Sequence, residues 1–505
     1  MINKYVLVTH ICLLDNKNKK NNRDSVKYYS YYLLTIYFIF LFFNKINIIM
    51  NVLIEPSNEI LYSLGRQKFS KEKNYRLNKF CLIEDIMNGK LIYNGLTRCF
   101  IFLTNKEFNE MNNKELYNDM IQFLYYAYFF VEETFDEHSF VKEMRKKNAY
   151  PIDDFFFKKI KGYTILTTTA CNARCFYCYE QKVKKSTMNI ETAQKIVDYM
   201  IDHSPKDEYI NIRWFGGEPL FNMKVIDTIC NGLTENGIYF NSYFTTNGYL
   251  FDDDIIRKAI DEWHCVSCQI TVDGTEKIYN KTKNYIYKDN YSPYQRVMGN
   301  IESLINNGVE VGIRMNVDMH NANDLKDLIY EVYTRFGNHP YLSLYCYPIF
   351  ENEFYSRSEE ERKNVYDEIE KIEKVLDDCN YFHGDGLAYT YKVHHCMVDN
   401  SESITISPNG DLGLCEHCID YDFIGHIDKP EELNMDIVYS WREYEDDLDI
   451  CDDCANFPTC VRTKKCEEQS SCNEHAKNWK IRKLKQGMRL TYYNILNQRN
   501  NNVKN

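Results

Sequence analysis

The sequence has no excess of basic residues, and the apolar run near its start is short. Its 61 Lys and Arg residues are outnumbered by 73 Asp and Glu residues, which gives a formal net charge of −12 at pH 7. Because a nucleic-acid binder normally carries a basic surface, we expect no nucleic-acid partner. The uncharged, mostly apolar run Tyr28–Phe43 is shorter than the about 20 residues that span a bilayer comfortably.

The first 49 residues differ in character from the rest of the chain. A secretory signal would carry charge at its start and small residues after the apolar run, whereas Asn44 and Lys45 follow Tyr28–Phe43 here. Two interpretations stay open. Either residues 1–49 are upstream sequence and the protein starts at Met50, or the apolar run is a membrane anchor. We favour the first, which predicts a cytoplasmic protein without a membrane partner.

Cysteine is abundant, with 19 residues. Disulfide-rich secreted scaffolds are usually short and lack a large core. This chain has 505 residues, of which 44% are hydrophobic, enough for two or three domains with a sizeable core. Metal-bound thiolates in a reducing cytoplasm therefore account for the cysteines better than disulfides do.

Residues 50–155 are predicted to form a small α+β unit. Residues 78–85 and 97–103 are apolar enough for a strand pair, with Asn-Gly turns between them. Residues 115–131 follow as a predicted helix. The unit is either a substrate-docking module or a cap on the main domain.

Residues 156–380 alternate between β-rich runs and amphipathic stretches, which is typical of βα units around a parallel sheet. Six units predict an α/β fold, a partial (β/α)6 version of the TIM-like barrel. The predicted strands are 163–168, 209–214, 239–244, 266–272, 309–317 and 341–347. The predicted helices between them are 190–203, 225–236, 252–263, 294–307 and 325–336.

The chain after the barrel begins with a long charged helix, 359–378. A cysteine-dense segment, 381–475, comes next, and residues 476–505 are predicted to be a helix with a fraying polar tail.

The densest motif directly follows the first predicted strand. Cys171, Cys175 and Cys178 have the spacing C-x3-C-x2-C. Three thiolates on one loop can ligate three of the four irons of a [4Fe–4S] cube, which leaves one iron open for an external chelating ligand. A zinc ion is the alternative, but it would need a fourth ligand nearby, and no neighbouring His or Cys offers one.

This spacing, with an aromatic residue before the last cysteine, resembles the signature of the radical S-adenosylmethionine (SAM) superfamily. The resemblance implies that the open iron binds the amino and carboxylate groups of SAM. In that family an electron from the cluster cleaves SAM to methionine and a 5′-deoxyadenosyl radical, which abstracts a hydrogen atom from the substrate.

A second motif lies after the second predicted strand. Gly216, Gly217, Glu218 and Pro219 resemble the GGEP motif of the same family, which contacts the SAM amino group. Paired glycines let the backbone approach a ligand closely. Found at this distance after the cysteine loop, the motif supports the resemblance.

The later strand ends supply further site residues by resemblance. Thr246, Asn247 and Arg314 are the predicted contacts of the SAM ribose and carboxylate. Asp273, before Gly274, is the predicted catalytic residue that takes a proton from the substrate or holds it. Barrels of this class place their active sites at this end of the sheet. For each of these residues, turn capping or a surface pair is the alternative.

Eight cysteines lie near the C-terminus, the number that two fully ligated [4Fe–4S] clusters need. Their spacing resembles the SPASM extension, a twin-cluster domain of peptide- and protein-modifying radical SAM enzymes. One or two zinc sites are the alternative. The eight residues are Cys396, Cys415, Cys418, Cys451, Cys454, Cys460, Cys466 and Cys472.

The interval between Cys460 and Cys466 departs from the SPASM pattern, because it encloses five residues where the family usually has three. By resemblance, one set of ligands holds the outer cluster: Cys451, Cys454, Cys460 and Cys472. The inner set is Cys396, Cys415, Cys466 and, as a further assignment, Cys418. The pair Cys265 and Cys268 is assigned to core packing, since residues three apart on a strand face opposite ways.

The resemblance implies an enzyme whose cofactors are SAM, one SAM-binding cluster and two auxiliary clusters. Its predicted substrate is a peptide or protein side chain, and its predicted electron donor resembles flavodoxin or ferredoxin. A carbon–carbon or thioether crosslink in a ribosomal peptide is one product, and formylglycine on a sulfatase is the alternative. A non-catalytic iron–sulfur or metal-binding protein stays open as another class, although the intact motifs oppose it.

Overall fold

The structure is a computed structural model that describes residues 51–57, 61, 64, 70, 72–113, 118–149, 159–287, 291–349, 357–381, 387, 397–399, 402–416, 422–443, 448–460, 463–466 and 472–504. Tyr28–Phe43, Cys396 and Cys418 lie outside the described residues. Among the helices that are described, none is long and apolar enough to cross a membrane.

The N-terminal unit is an antiparallel sheet with helices against it. Its strands are β1 (Asn51–Ile54), β2 (Tyr75–Leu77), β3 (Cys81–Ile86), β4 (Gly89–Asn94), β5 (Phe100–Thr104) and β6 (Phe130–Glu132). Its helices are α1 (Asn105–Asn112), α2 (Asn118–Tyr126) and α3 (Glu137–Ala149). Four strands are ordered β1-β5-β4-β3, and β2 pairs with β6.

Two expectations for this unit were incomplete. The two predicted strands do not pair with each other, because β4 lies between them and pairs with both. The turn before Gly89 closes a β3–β4 hairpin, so the chain reverses before it reaches β5. The predicted helix also ends early, at Tyr126, because Tyr128 takes a left-handed backbone with φ of 59° that a helix cannot continue.

The central sheet contains the six predicted βα units. Its strands are β7 (Gly162–Thr168), β8 (Ile210–Gly216), β9 (Phe240–Thr246), β10 (Cys265–Thr271), β11 (Glu310–Val317) and β12 (Leu342–Pro348). Its helices are α4 (Ile190–His203), α5 (Met223–Glu235), α6 (Asp253–Asp261), α7 (Glu276–Lys283), α8 (Pro293–Asn306) and α9 (Ala322–Phe336). Neighbouring strands are parallel throughout, which confirms the predicted α/β class. Helix α7 was not predicted.

Alternation along the strands separates the two faces of the sheet. In β9, Phe240 and Phe244 are buried in the core that the helices cover, whereas Tyr243 and Thr245 are only partly buried. Side chains on a strand alternate between faces. The second set therefore faces the interior of the open barrel, where the site is found.

The C-terminal part extends the same sheet. Its elements are α10 (Glu359–Asp378), β13 (Ser403–Ile406), β14 (Asp411–Gly413), β15 (Gly425–His426), α11 (Met435–Trp441) and α12 (Glu474–Lys504). Strand β13 pairs in parallel with β7, and the full order is β12-β11-β10-β9-β8-β7-β13-β14-β15. The predicted polar tail is helical as far as Lys504, because no Pro or Gly interrupts the last turns.

Helix α12 packs against the sheet of the N-terminal unit. Its buried Met488 packs against the N-terminal sheet, and the rings of Phe102 and Tyr492 are 5.5 Å apart. Lys485 and Arg489 both pair with Glu84 of β3. These contacts attach the N-terminal unit to the C-terminal helix, and both interpretations of the unit, docking module or cap, stay predictions.

The N-terminal unit also contacts the cysteine-dense segment. Phe80 shares a buried cluster with Cys451 and Phe457. A Cβ at Gly95 would lie 2.1 Å from the carbonyl oxygen of Ala455, so the absence of a side chain at Gly95 lets the two backbones meet.

Cys265 and Cys268 do not face opposite ways as expected. A register shift between Cys265 and Ser267 brings their sulfur atoms to 3.7 Å. A bulge adds a residue to one strand and so changes which face the next side chains occupy. Both cysteines are buried in the core, as predicted.

Candidate active site

The cysteine loop begins where β7 ends and lies against the glycine-rich loop that follows β8. The backbone N–H of Gly217 donates to the carbonyl of Thr168 at 3.0 Å, and that of Glu218 donates to the carbonyl of Ala170 at 3.0 Å. Gly216 has φ of +114°, and a Cβ there would lie 2.2 Å from the Thr168 oxygen. A Cβ at Gly217 would lie 2.4 Å from the Ala170 oxygen. The two glycines therefore permit the close contact between the loops.

The other side of the cysteine loop is held by the last residue of α7 and the chain that follows it. The N–H of Arg174 donates to the carbonyl of Lys283 at 2.7 Å, and the N–H of Ile286 donates to the carbonyl of Asn172 at 2.9 Å. Asn172 is fully buried. Its side-chain oxygen accepts a hydrogen bond from the Asn247 amide at 2.7 Å. Three separate segments thus support the loop.

The three thiols of the loop are partly buried and influence one another. Burial, followed by the charge of Glu218 and by smaller contributions from Cys175 and Cys178, raises the pKa of Cys171 to about 12. Burial and then Glu180 raise the pKa of Cys178 to about 11. Burial also raises the pKa of Cys175. Binding of a metal centre would have to displace these protons.

The donor set fits a [4Fe–4S] cube. Within the described residues, no group of three or more His, Cys, Asp or Glu side chains is arranged to hold one metal ion. A cube binds each thiolate at a different iron, so the sulfur atoms of Cys171, Cys175 and Cys178 need not converge on one point. Soft thiolates are also the ligands that iron–sulfur clusters prefer.

Glu218 connects the glycine-rich loop to the end of β9. Its buried carboxylate accepts hydrogen bonds from the Thr246 hydroxyl at 2.7 Å, the Asn247 N–H at 2.8 Å and the Leu220 N–H at 3.2 Å. Burial, which outweighs these bonds, raises the pKa of Glu218 to about 7. The arrangement brings Glu218, Thr246 and Asn247 together beside Cys171, although their contacts to SAM stay predictions.

A cavity of about 530 Å³ opens beside the cysteine loop. Cys178 forms part of its wall, as does Arg314, whose guanidinium lies 4.7 Å from the centre of the Tyr347 ring. The Nε of Arg314 donates to Asn316 at 2.9 Å. The remaining wall is polar and aromatic and includes Tyr177, Tyr179, Arg213, Phe215, Tyr243, Thr245, Ser267, Gln269, Thr271 and Glu416.

Asp273 is buried in an ion pair that the sequence did not indicate. Its carboxylate lies 2.9 Å from the ammonium of Lys283, accepts the Asn316 N–H at 2.9 Å and accepts a hydrogen bond from the Tyr177 hydroxyl. Asp273 does not line the cavity wall. These contacts fix the position of the Asp273 carboxylate, and its predicted catalytic role stays a prediction.

Lys283 keeps its charge in this pair. Burial opposes the ammonium form, but attraction to Asp273, and next to Tyr177 and Cys175, raises the pKa of Lys283 well above its usual value. Burial has the largest effect on the pKa of Cys175 and raises it. Lys283 lowers this pKa by more than Asp273 raises it. Sequence reasoning missed Lys283 and the contact of Tyr177, because no local pattern relates residues so far apart in the chain.

Six C-terminal cysteines are described, and they do not form one group. Cys466 lies in a turn where its N–H donates to the Thr463 carbonyl at 3.2 Å. Cys454 and Cys451 share a tight turn, with the Cys454 N–H donating to the Cys451 carbonyl at 3.2 Å. The pKa of Cys454 is raised to about 11, mainly by burial, and Cys460 and Cys472 also raise it. Three of the ligands predicted for the outer cluster, Cys451, Cys460 and Cys472, thus each lie near the fourth, Cys454. Cys415 is separate and lies beside the cavity, where its neighbour Glu416 forms part of the wall.

The barrel region of the chain matches a known family. Residues 165–330 match the family model of the Radical SAM superfamily. An uncharacterized protein of Methanocaldococcus jannaschii is 22% identical over 285 residues, covering 56% of this chain and 93% of that protein.

Two relatives with named activities are similarly distant. The radical SAM cyclopropyl synthase TigE of Paramaledivibacter caminithermalis is 24% identical over 269 residues, which are 46% of this chain and 56% of that protein. The GTP 3′,8-cyclase of Clostridium perfringens is 23% identical over 283 residues, which are 52% of this chain and 83% of that protein.

Two solved structures resemble this chain at low identity. Native anSMEcpe with bound AdoMet and Cp18Cys peptide has a TM-score of 0.47 and 16% identity, covering 67% of this chain and 99% of that chain. SuiB of Streptococcus suis bound to precursor peptide SuiA has a TM-score of 0.43 and 11% identity, covering 77% of this chain and 95% of that chain.

Proposed function

We propose, from the premise that residues 165–330 are a radical SAM domain, that this chain is an enzyme that reductively cleaves SAM and modifies a peptide or protein side chain. One observation carries the proposal. Cys171, Cys175 and Cys178 lie on a single loop at the carboxyl end of β7, and Cys178 borders an open cavity of about 530 Å³. A thiolate-bound centre at this loop would therefore face a space that can hold a cosubstrate and a side chain.

The residues around the loop have separate tasks. Gly216 and Gly217 let the glycine-rich loop approach the cysteine loop, and Glu218 holds Thr246 and Asn247 at the edge of the site. Arg314, stacked on Tyr347, would present its charge to the SAM carboxylate. When bound by the three cysteines, a [4Fe–4S] cluster supplies the electron that splits SAM to methionine and a 5′-deoxyadenosyl radical.

The cavity wall is suited to a polar substrate. Arg213 and Glu416 supply charges, Gln269 supplies an amide, and Tyr243 supplies an aromatic surface. These groups can hydrogen-bond a peptide backbone and pack against a side chain. The SPASM-like cysteine spacing gives the second support for a peptide, because that extension is found on peptide- and protein-modifying enzymes.

The auxiliary ligands are part of the same proposal. Cys451, Cys454, Cys460 and Cys472 would hold an outer cluster, and Cys415 and Cys466 would contribute to an inner one together with Cys396 and Cys418, which lie outside the described residues. These centres would accept an electron from the substrate radical or position the peptide. A flavodoxin- or ferredoxin-like donor would supply the electron for SAM cleavage.

Detection of 5′-deoxyadenosine tests the radical chemistry. The protein is purified and reconstituted without oxygen, then supplied with dithionite and SAM. We expect 5′-deoxyadenosine from the wild type and none from the variant in which Cys171, Cys175 and Cys178 are all replaced by Ala. Cys81→Ala is the matched control, because Cys81 is also partly buried but lies in the N-terminal sheet. An iron-loaded wild type that makes no product would favour the non-catalytic iron–sulfur protein.

Comparison of substrates tests the peptide proposal. A short peptide encoded beside the gene, a sulfatase-derived peptide with a target Ser or Cys, and GTP are incubated separately with the reconstituted enzyme. We expect tandem mass spectrometry to locate a crosslink in the first peptide. Formylglycine in the second peptide would favour sulfatase maturation. Turnover of GTP alone, the substrate in the name of one relative, would contradict the peptide proposal.

A further inference from the structure

Lys283, Asp273 and Tyr177 form a buried polar group directly behind the cysteine loop. The ammonium of Lys283 lies 2.9 Å from the Asp273 carboxylate and donates to the Tyr177 hydroxyl at 2.9 Å. The side chains of Lys283 and Asp273 are only 3% and 1% exposed. In the sequence, Tyr177 lies between Cys175 and Cys178. One member of the polar group therefore belongs to the cysteine loop itself.

Burial of such a pair is costly, because both charges lose their hydration and their attraction only partly compensates. Well-packed apolar residues in the same place would often stabilise the folded protein as much as the ion pair does, or more. The ion pair is therefore weak evidence for a purely stabilising role. Its location beside the cysteine loop indicates a role at that loop.

Two sets of contacts fix the ammonium relative to the cysteines. The Lys283 carbonyl accepts the N–H of Arg174, the residue before Cys175, at 2.7 Å. The Lys283 ammonium lies 5.5 Å from the centre of the Tyr177 ring. Backbone and side chain of one residue therefore both contact the loop, and the contacts with Asp273 and Tyr177 hold the ammonium beside it.

The position of the charge matters because water does not screen it. Lys185 also lies near the loop, donating to the carbonyls of Thr169 and Glu180 at 3.0 and 2.9 Å, but Lys185 is exposed. Solvent and salt screen exposed charges much more than buried ones. Lys283 is thus a buried cation of this neighbourhood whose field at Cys175 is offset in part by Asp273 but is not screened by solvent.

We propose that Lys283, held by Asp273 and Tyr177, positions the cysteine loop and raises the reduction potential of the cluster that Cys171, Cys175 and Cys178 would hold. Reduction adds negative charge to the cluster, and a buried cation nearby stabilises the reduced form relative to the oxidised form. Net charge near a cluster is one of the factors that set its potential. The inference rests on the proposed function, since it requires a cluster at this loop.

A redox titration of the reconstituted protein tests the inference. Lys283→Met removes the charge, and Lys326→Met is the control, because Lys326 forms a partly buried pair with Glu368 on the outer helices. At a fixed ambient potential, we expect the ratio of reduced to oxidised SAM-binding cluster, read by electron paramagnetic resonance, to fall about tenfold in Lys283→Met. For a one-electron couple this is about 59 mV. The control should match the wild type.

A double variant, Asp273→Asn with Lys283→Met, guards against misfolding, since it leaves no buried carboxylate without its partner. We expect its potential to shift in the same direction. A variant that binds wild-type amounts of iron and sulfide yet keeps the wild-type potential would overturn the effect on potential. A wild type that binds no cluster at the loop would instead contradict the proposed function, so the two failures are distinguishable.

Hydrogen exchange tests the first part of the proposal, that the buried polar group positions the cysteine loop. Tyr177→Phe keeps the ring but removes the hydroxyl that contacts both charges. We expect amide hydrogen exchange of residues 171–178 to become at least threefold faster in the reconstituted Tyr177→Phe protein, with exchange in α4 unchanged. Exchange at the wild-type rate in the loop would overturn the positioning role.

Discussion

The hydroxyl of Thr246 donates a hydrogen bond to the buried carboxylate of Glu218 at 2.7 Å, and this contact joins the end of β9 to the glycine-rich loop. The same carboxylate accepts the N–H of Asn247 and the N–H of Leu220. A carboxylate can accept all three bonds because both of its oxygens are acceptors.

Glu218→Gln should destabilise the cluster-free protein by about 1–3 kcal/mol, because the new amide N–H₂ would face a donor in a buried place. Urea unfolding under anaerobic, reducing conditions measures the loss. Thr246→Val and the double variant complete a mutant cycle, and we expect the two changes to be non-additive, as for residues in contact. Strict additivity would show that the carboxylate and hydroxyl do not depend on each other.

Gly216→Ala should prevent loading of the loop with iron. A Cβ at this position would lie 2.2 Å from the Thr168 oxygen, and the backbone φ of +114° is unfavourable for alanine. Iron and sulfide analysis after reconstitution is the measurement. Gly299→Ala in α8 is the control, because nothing lies within 4 Å of its Cβ position and alanine favours a helix by about 0.5–1 kcal/mol. Equal cluster content in the two variants would argue against a tight contact between the loops.

Arg314→Met should weaken SAM binding by about 10- to 100-fold, the equivalent of a charge-assisted hydrogen bond of about 1.5–3 kcal/mol. Equilibrium dialysis with the reconstituted protein gives the dissociation constant directly. Arg335→Met is the matched control, because Arg335 also stacks on an aromatic ring, that of Phe336, but lies on the outer helix α9. Unchanged affinity in Arg314→Met would remove Arg314 from the SAM site.

Cys454→Ala should lower the iron content by about four irons per chain, because one ligand of a complete [4Fe–4S] set is lost. Iron and sulfide are measured per protein, and 5′-deoxyadenosine formation is followed in parallel. The control is Cys379→Ala, a buried cysteine at the end of α10. Zinc in the wild type, found by metal analysis, would contradict the assignment of this region to an iron–sulfur cluster.

Glu137→Gln should destabilise the N-terminal unit at pH 7 by about 3 kcal/mol, because it leaves Arg76 without its buried partner. Burial disfavours the Glu137 carboxylate, but the Arg76 hydrogen bond and backbone donors leave its pKa below the usual 4.5. This stability is therefore present at neutral pH and is lost as pH falls below about 4.5, through the lowered pKa. Hydrogen exchange of residues 118–149, compared between pH 7 and pH 4, measures this loss of stability.

The control is Glu133→Gln, at an exposed position, which should change the exchange little at either pH. If the difference between Glu137→Gln and the wild type persisted undiminished at pH 4, it would contradict the pKa argument.

The active-site loop and the order of the barrel strands were predictable from the sequence. Cys171, Cys175 and Cys178 lie on one short segment, residues 171–178, so they are close together in any fold. Each βα unit is also a local pattern, in which apolar residues alternate along a strand and recur along the next helix. These periodicities are written into consecutive residues.

Other features required the tertiary structure. Lys283 meets Tyr177 across 106 positions of the chain, and Asp273 meets Tyr177 across 96. Strand β13 joins β7 although the two are separated by the whole barrel, and a bulge in β10 turns Cys265 toward Cys268. Local periodicity shows which face of an element is apolar but not which other element covers it. The amino-acid sequence by itself therefore determined the ligands of the proposed cluster. The position of the buried cation Lys283 behind them was decided by the tertiary structure, because it depends on how distant segments pack.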